Sequence, residues 1–198
     1  MRGKLKLLLI SVLCAGPLMA QNVVQVFDAD IPPNTAGHWT ADNTYVLNGF
    51  VFVDAGSELW IDPGVVIKGK PGQGESASAL IVARGGKIYA EGTPSQPIIF
   101  TAEADDVTVN DDLPKTAAGL WGGLIVLGNA TLNSTPGETA IEGIPTTEPR
   151  GLYGGNDDDD DSGVIRYVSV RYGGTDIGAG NEINGVTFGG VGRGTKVE

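Results

Sequence analysis

The densest run of chemically able side chains is Asp157–Asp161, five consecutive aspartates set between Gly154-Gly-Asn156 and Ser162-Gly163. Adjacent carboxylates on a turn-prone loop suit Ca²⁺, a hard cation that takes about six to eight oxygen ligands. Asp158-x-Asp160-x-Ser162-Gly163 matches the first half of an EF-type loop, with glycine at the sharp turn. The twelfth position is Ser169 rather than a bidentate glutamate, so the segment is not an EF-hand. Asp157, Asp158, Asp159, Asp160 and Asp161 are the expected metal ligands and calcium the expected cofactor. The competing reading is a solvated run of like charges.

Other candidates are weaker. Asp105-Asp106 and Asp111-Asp112 offer the paired carboxylates a glycosidase needs, but an acidic, irregular surface loop explains them as well. Trp60-Ile61-Asp62-Pro63 reads most simply as a strand entering a Pro-Gly turn. Arg166, Tyr167, Arg171 and Tyr172 could stack on and hydrogen-bond an acidic sugar. Strand alternation puts Val168, Val170 and Tyr172 on one, inner face, with Ser169 and Arg171 outside, where an arginine stem simply covers surface. His38 is the only histidine, so there is no histidine pair for a metal. No catalytic residue is assigned, and a ligand-binding set is not identifiable.

The elements that hold these groups are short and numerous. Glycine supplies 31 of 198 residues, about twice the ordinary ~7%, so turns are frequent. Between them lie runs such as Phe50-Val-Phe-Val53, Glu58-Leu-Trp-Ile61 and Val65-Val-Ile-Lys68. Val51 and Val53, Leu59 and Ile61, and Val65 and Ile67 alternate with Glu58, Asp62 and Lys68, the period of a half-buried strand. Val23–Phe27 is an earlier strand, with the rest of the stretch to Asp42 read as loop or cap. The spacing leaves no room for crossover helices. Lys70–Ser78, Ala102–Ala118 and Asn133–Pro149 read as loops or inserts. An aromatic residue followed by Gly-Gly recurs at Trp121, Tyr153, Tyr172 and Phe188, and such recurrence marks a solenoid. Trp121 and Phe188 are expected as stacked core residues.

The formal net charge is −11, which disfavours nucleic acid or an anionic membrane as partner. Residues 1–20 have the form of a signal peptide: Arg2, Lys4 and Lys6, then an apolar run from Leu7 to Cys14, then Pro17-Leu-Met-Ala20. The apolar run is too short for a transmembrane span. Cys14, the only cysteine, raises lipid attachment as an alternative, although Leu13 is larger than the residue that usually precedes a lipidated cysteine. Without residues 1–20 the chain has no disulfide or thiol chemistry.

Val53–Gly69, Leu80–Pro94 with Pro97–Thr101, Trp121–Gly128 and Ser162–Gly174 resemble the rungs of right-handed parallel β-helix proteins of the pectin-lyase-like superfamily. They are closest in style to the large secreted or surface proteins of Gram-negative bacteria, many exported by the type IX route. The resemblance implies an all-β, right-handed single-stranded parallel β-helix over residues 44–198, after a signal peptide (1–20) and an N-terminal strand and cap (21–43). It implies that the helix continues past Glu198, so that these residues are an N-terminal portion. It also raises polysaccharide chemistry. The glycosidase branch carries Gly-His-Gly and Arg-Ile-Lys, neither of which occurs here, and Pro63 replaces the histidine of a Trp-Ile-Asp-His lyase motif. The expected role is a non-catalytic extracellular or surface scaffold for adhesion or glycan binding, partnered by polysaccharide or cell-surface components. The alternative is a polysaccharide lyase or glycosidase whose site lies further along the chain.

Overall fold

A computed structural model describes residues 21–178 and 181–198. The leader and Cys14 lie outside the described residues. The chain opens with β1 (Asn22–Val26), β2 (Ala36–Trp39) and β3 (Asn43–Leu47). Two regular coils follow: β4 (Phe50–Val53), β5 (Glu58–Ile61) and β6 (Val66–Gly69), then β7 (Ala79–Val82), β8 (Lys87–Glu91) and β9 (Ile98–Ala102). The next coil is interrupted. β10 (Gly123–Leu127) leads into a small antiparallel pair, β11 (Thr139–Ala140) and β12 (Leu152–Tyr153), before β13 (Gly163–Arg166) and β14 (Val168–Val170). A second antiparallel pair, β15 (Asp176–Gly178) and β16 (Asn181–Glu182), precedes β17 (Val186–Gly189) and β18 (Lys196–Val197).

The strands stack into three parallel sheets, β1-β3-β6-β9-β14, β4-β7-β10-β17 and β2-β5-β8-β13-β18. The chain visits them in a repeating cycle, which is the right-handed parallel β-helix expected from the sequence. We call them the first, second and third sheets in that order. Residues 21–43 already contribute two strands to these sheets. β2 carries little apolar alternation, with exposed residues at Ala36 and His38, and it is fixed by pairing with β5 rather than by its own pattern.

Register stacks like positions over one another. Tyr45, Ile67, Phe100 and Val170 superpose on the first sheet, Val51, Leu80 and Leu124 on the second, and Trp39, Ile61, Ala90 and Ile165 on the third. Their side chains form one interior column, in which Trp39 stacks on Tyr45 at 4.7 Å and Val26 of β1 lies beyond Leu47. At about 25 cal/mol per Å² of apolar area removed from water, this column is the main favourable term in folding.

The second sheet is covered on both faces. Leu80, Val82, Leu124 and Val126 point into the column, while Phe52, Ile81, Ile125 and Leu127 point outward into a second cluster with Ile141 and Ile144. The insert after β10 therefore roofs this sheet. That explains the unbroken apolar runs Leu80-Ile-Val82 and Leu124-Ile-Val-Leu127, which lack polar alternation.

The four aromatic-Gly-Gly residues are not equivalent. Trp121 is buried in the column, and its indole N–H donates to the Arg171 carbonyl at 2.7 Å. Tyr172 packs partly buried against the column and Tyr153 against the outer cluster. Phe188 stacks in register on inward-facing Val126 and is 40% exposed.

Gly69 shows how tightly the column is filled. A Cβ there would sit 2.5 Å from Trp121 Cε3, against a rigid ring. Gly69→Ala is expected to destabilise the protein by about 1–3 kcal/mol through overpacking, read by urea denaturation, with a shifted tryptophan emission as the local signature.

Candidate functional site

The aspartate run forms a hydrogen-bonded turn wedged between coils. The Asp157 N–H donates to the Asn129 carbonyl at 2.9 Å, and the Asp160 N–H to the Asp157 carbonyl at 3.1 Å. Asp157 Oδ1 accepts the Asp159 N–H (3.1 Å), Asp158 Oδ1 the Thr131 N–H (3.0 Å), and Asp161 Oδ1 the Gly163 N–H (2.9 Å). Asp160 Oδ2 accepts the Ser162 hydroxyl at 3.1 Å. Lys87 Nζ reaches Asp161 at 2.6 Å from the preceding coil, and Arg193 reaches Asp159 at 2.8 Å from the following one. Gly192 and Gly194 lie flat on this turn, where a Cβ would meet the backbone or Cβ of Asp160 and Asp161.

These carboxylates thus face separate partners. Among the described residues no three His, Cys, Asp or Glu side chains converge where they could share a metal ion. As placed, Asp157, Asp158, Asp160 and Asp161 accept from backbone N–H or hydroxyl groups, and Asp159 and Asp161 meet Arg193 and Lys87. The mutual repulsion expected of five adjacent charges is instead offset by fixed N–H donors and two cations. The Thr131 N–H holds the Asp158 carboxyl below the usual carboxylate range, and Lys87 does the same for Asp161.

The second acidic segment also differs from a uniformly solvated loop. Asp105 is buried and accepts the Thr101 hydroxyl at 2.6 Å, with Arg171 Nη1 at 3.8 Å. Lys68 Nζ donates to its carbonyl at 2.6 Å. Asp106 accepts from Thr108, and Asp112 accepts the Asp106 N–H, so both carboxylates fasten the loop.

Arg166 and Arg171 do not make one patch. Arg166 ends β13 on the third sheet, bound to Glu198 at 2.6 Å with Glu91 at 3.8 Å, whereas Arg171 follows β14 on the first sheet. Tyr167, at the corner between these sheets, is about half exposed, and Tyr172 is turned to the core as alternation required.

The cluster that brings distant residues together is around Arg150. Its guanidinium pairs with Glu148 (2.8 Å), Asp28 (3.0 Å) and Asp54 (3.3 Å) and lies 3.8 Å from the centre of the Phe52 ring. This pins the insert over the second sheet and onto the first turn of the chain. Glu148 holds the guanidinium proton even more firmly than usual, and Arg150 in turn lowers the Glu148 carboxyl.

The outer face of the third sheet carries a feature missed in the sequence. His38, Trp60 and Tyr89 share one register position on β2, β5 and β8. Trp60 is 42% exposed, and its ring stacks on Tyr89 with centroids 4.0 Å apart and planes 21° from parallel. β5 lies between β2 and β8, so the opposite side of Trp60 faces β2. There a cleft of about 230 Å³ is lined by Ala36, Gly37, His38 and Trp60. His38 Nε2 is drawn to Asp62 Oδ1 at 2.8 Å, and the Trp60 indole N–H donates to Glu58 Oε2 at 3.0 Å. The sequence signal was an apolar Trp60 at an outward position beside Glu58 and Asp62. Its pairing with Tyr89, in the next coil, needed the register.

A model of the family described as a pectate-lyase-like β-helix domain matches residues 34–198. The chain belongs to this pectate-lyase-like β-helix family. The match spans every complete coil from β2 onward, including the Trp60–Tyr89 face and the aspartate turn. Comparison with curated proteins and with solved structures returned no match. No helix among the described residues of this family member is long and apolar enough to cross a membrane.

Two outcomes are expected. Arg150→Ala removes the counter-charge of three carboxylates and lowers stability by about 2 kcal/mol in urea denaturation, more than Arg166→Ala on the open face. Lys87→Ala costs less than about 1 kcal/mol at neutral pH, because the pair is part-exposed. Asp161 is lowered, so its share of stability is present above the ordinary unfolded value and lost as pH falls through the folded one; the gap between Lys87→Ala and the parent closes over that acidic range.

Proposed function

We propose that this chain is a non-catalytic glycan-binding scaffold, exported to the outer surface or surroundings of a Gram-negative bacterium and serving in adhesion. The observation that carries the reading is Trp60: an exposed indole, supported behind by Tyr89 and open in front onto a cleft. A rigid ring of this kind offers a flat apolar face for the C–H face of a sugar, with polar side chains at its rim to fix orientation. The cleft is smaller than the ~300–1,000 Å³ pockets of drug-sized ligands, and suits one ring of a longer chain. Membership of a pectate-lyase-like family supports a polysaccharide-related role. Asp105, Asp106 and Asp112 each fasten their loop by hydrogen bonds, which supports a structural role for these acidic candidates.

Trp60→Ala is expected to weaken retention of the protein in glycan affinity gels by about tenfold or more, the loss typical of a central aromatic contact, with an unchanged far-ultraviolet spectrum. Release of unsaturated or reducing sugars by this chain would sink the non-catalytic reading. Secretion is checked by sequencing the N-terminus of the protein from culture medium, where Gln21 is expected first.

We further propose that Ca²⁺ stabilises the aspartate turn, using carboxylate oxygens that the N–H and hydroxyl donors of the turn leave over. Calorimetry with added Ca²⁺ is expected to give a higher Tm than with chelator, and Asp158→Asn with Asp160→Asn to abolish the rise. The same Tm with Ca²⁺ and with chelator would sink calcium as a ligand of the turn.

A further inference from the structure

The polar groups around Trp60 define what kind of sugar fits. On one side Glu58 accepts the Trp60 indole N–H, and on the other Asp62 is bound to His38, both partners being well exposed. A carboxylate only accepts hydrogen bonds, and it has about four lone-pair sites over two oxygens. Each of these two contacts uses one of them. What remains at the cleft therefore calls for donors.

The cations nearest this cleft are paired, and the exposed Lys196 of this face stands three strands along the register from Trp60. Lys87 is tied to Asp161 at 2.6 Å, and Arg166 to Glu198 at 2.6 Å. Neither leaves the bidentate, unpaired fork that recognises a sugar acid. Burial pushes the hydroxyl of the stacking partner Tyr89 above its ordinary value, Lys87 opposes this, and Glu58, Asp161 and Glu91 add to it. A polyuronate would bring one more negative charge per residue onto this surface, and like charges juxtaposed at an interface weigh against binding.

From this geometry we infer that the Trp60 cleft takes an uncharged sugar unit presenting hydroxyl donors to Glu58 and Asp62, and rejects sugar acids. This rests on the reading of the cleft as a glycan site. It departs from the acidic sugar that the arginines alone suggested, because Arg166 and Arg171 lie on different sheets and are paired.

The test is isothermal titration of the whole chain with cellohexaose and with hexagalacturonate at low salt, where charge repulsion is least screened. Cellohexaose is expected to bind at least tenfold more tightly, with Trp60→Ala removing the difference. Glu58→Gln with Asp62→Asn is expected to narrow the preference by admitting the uronate, and both are surface changes that leave the column intact. Uronate binding as tight as or tighter than the neutral probe, and lost in Trp60→Ala, overturns the inference while leaving the glycan reading standing. Binding unaffected by Trp60→Ala, or no binding of either probe, overturns the glycan reading itself.

Discussion

Every outward feature of this molecule hangs on the in-register stacking of inward side chains from one coil to the next. Parallel pairing fixes the register, and register places Tyr45, Ile67 and Phe100, or Ile61, Ala90 and Ile165, directly over one another. Because side chains alternate along a strand, a slip of one residue would turn the whole apolar set outward. The column therefore fixes, by exclusion, which residues face solvent on each sheet. Trp60 and Tyr89 meet because Leu59 and Ile88 are locked together inside.

The three sheets put this constraint to different uses. The second is sealed on both faces, with Arg150 clamping the insert against Phe52 and Asp28, and serves stability. The third leaves its outer face open, and there the ladder carries aromatic and acidic groups instead of apolar ones. The aspartate turn lies at the entry to this sheet and joins three successive coils through Lys87, Thr131 and Arg193. Its charge density serves as a set of acceptors for backbone N–H groups, in the manner of short polar side chains at turns.

The solenoid architecture follows from local information. Period-two alternation, glycine at the corners and recurrence of aromatic-Gly-Gly are all properties of neighbouring residues, and they carry the parallel β-helix from sequence to structure. The inward direction of Tyr172 and Val170 was legible for the same reason. β2 was not, because Ala36-Gly-His-Trp39 has too weak a pattern to act alone and takes its strand form from β5. Phe188 keeps the inward direction its strand position implied, in register with Val126.

By itself the sequence determined the fold class, the inward set of each strand and the segments left over as inserts, since these depend on spacing along the chain. Only the tertiary structure decided what those segments and the charged groups do. It buried Asp105, divided the five aspartates among separate partners, set Arg166 and Arg171 on different sheets, and stacked Trp60 on Tyr89. Those outcomes depend on which residues coil length brings together, and inserts of unequal length between strands make that contact pattern unreadable from the order of residues.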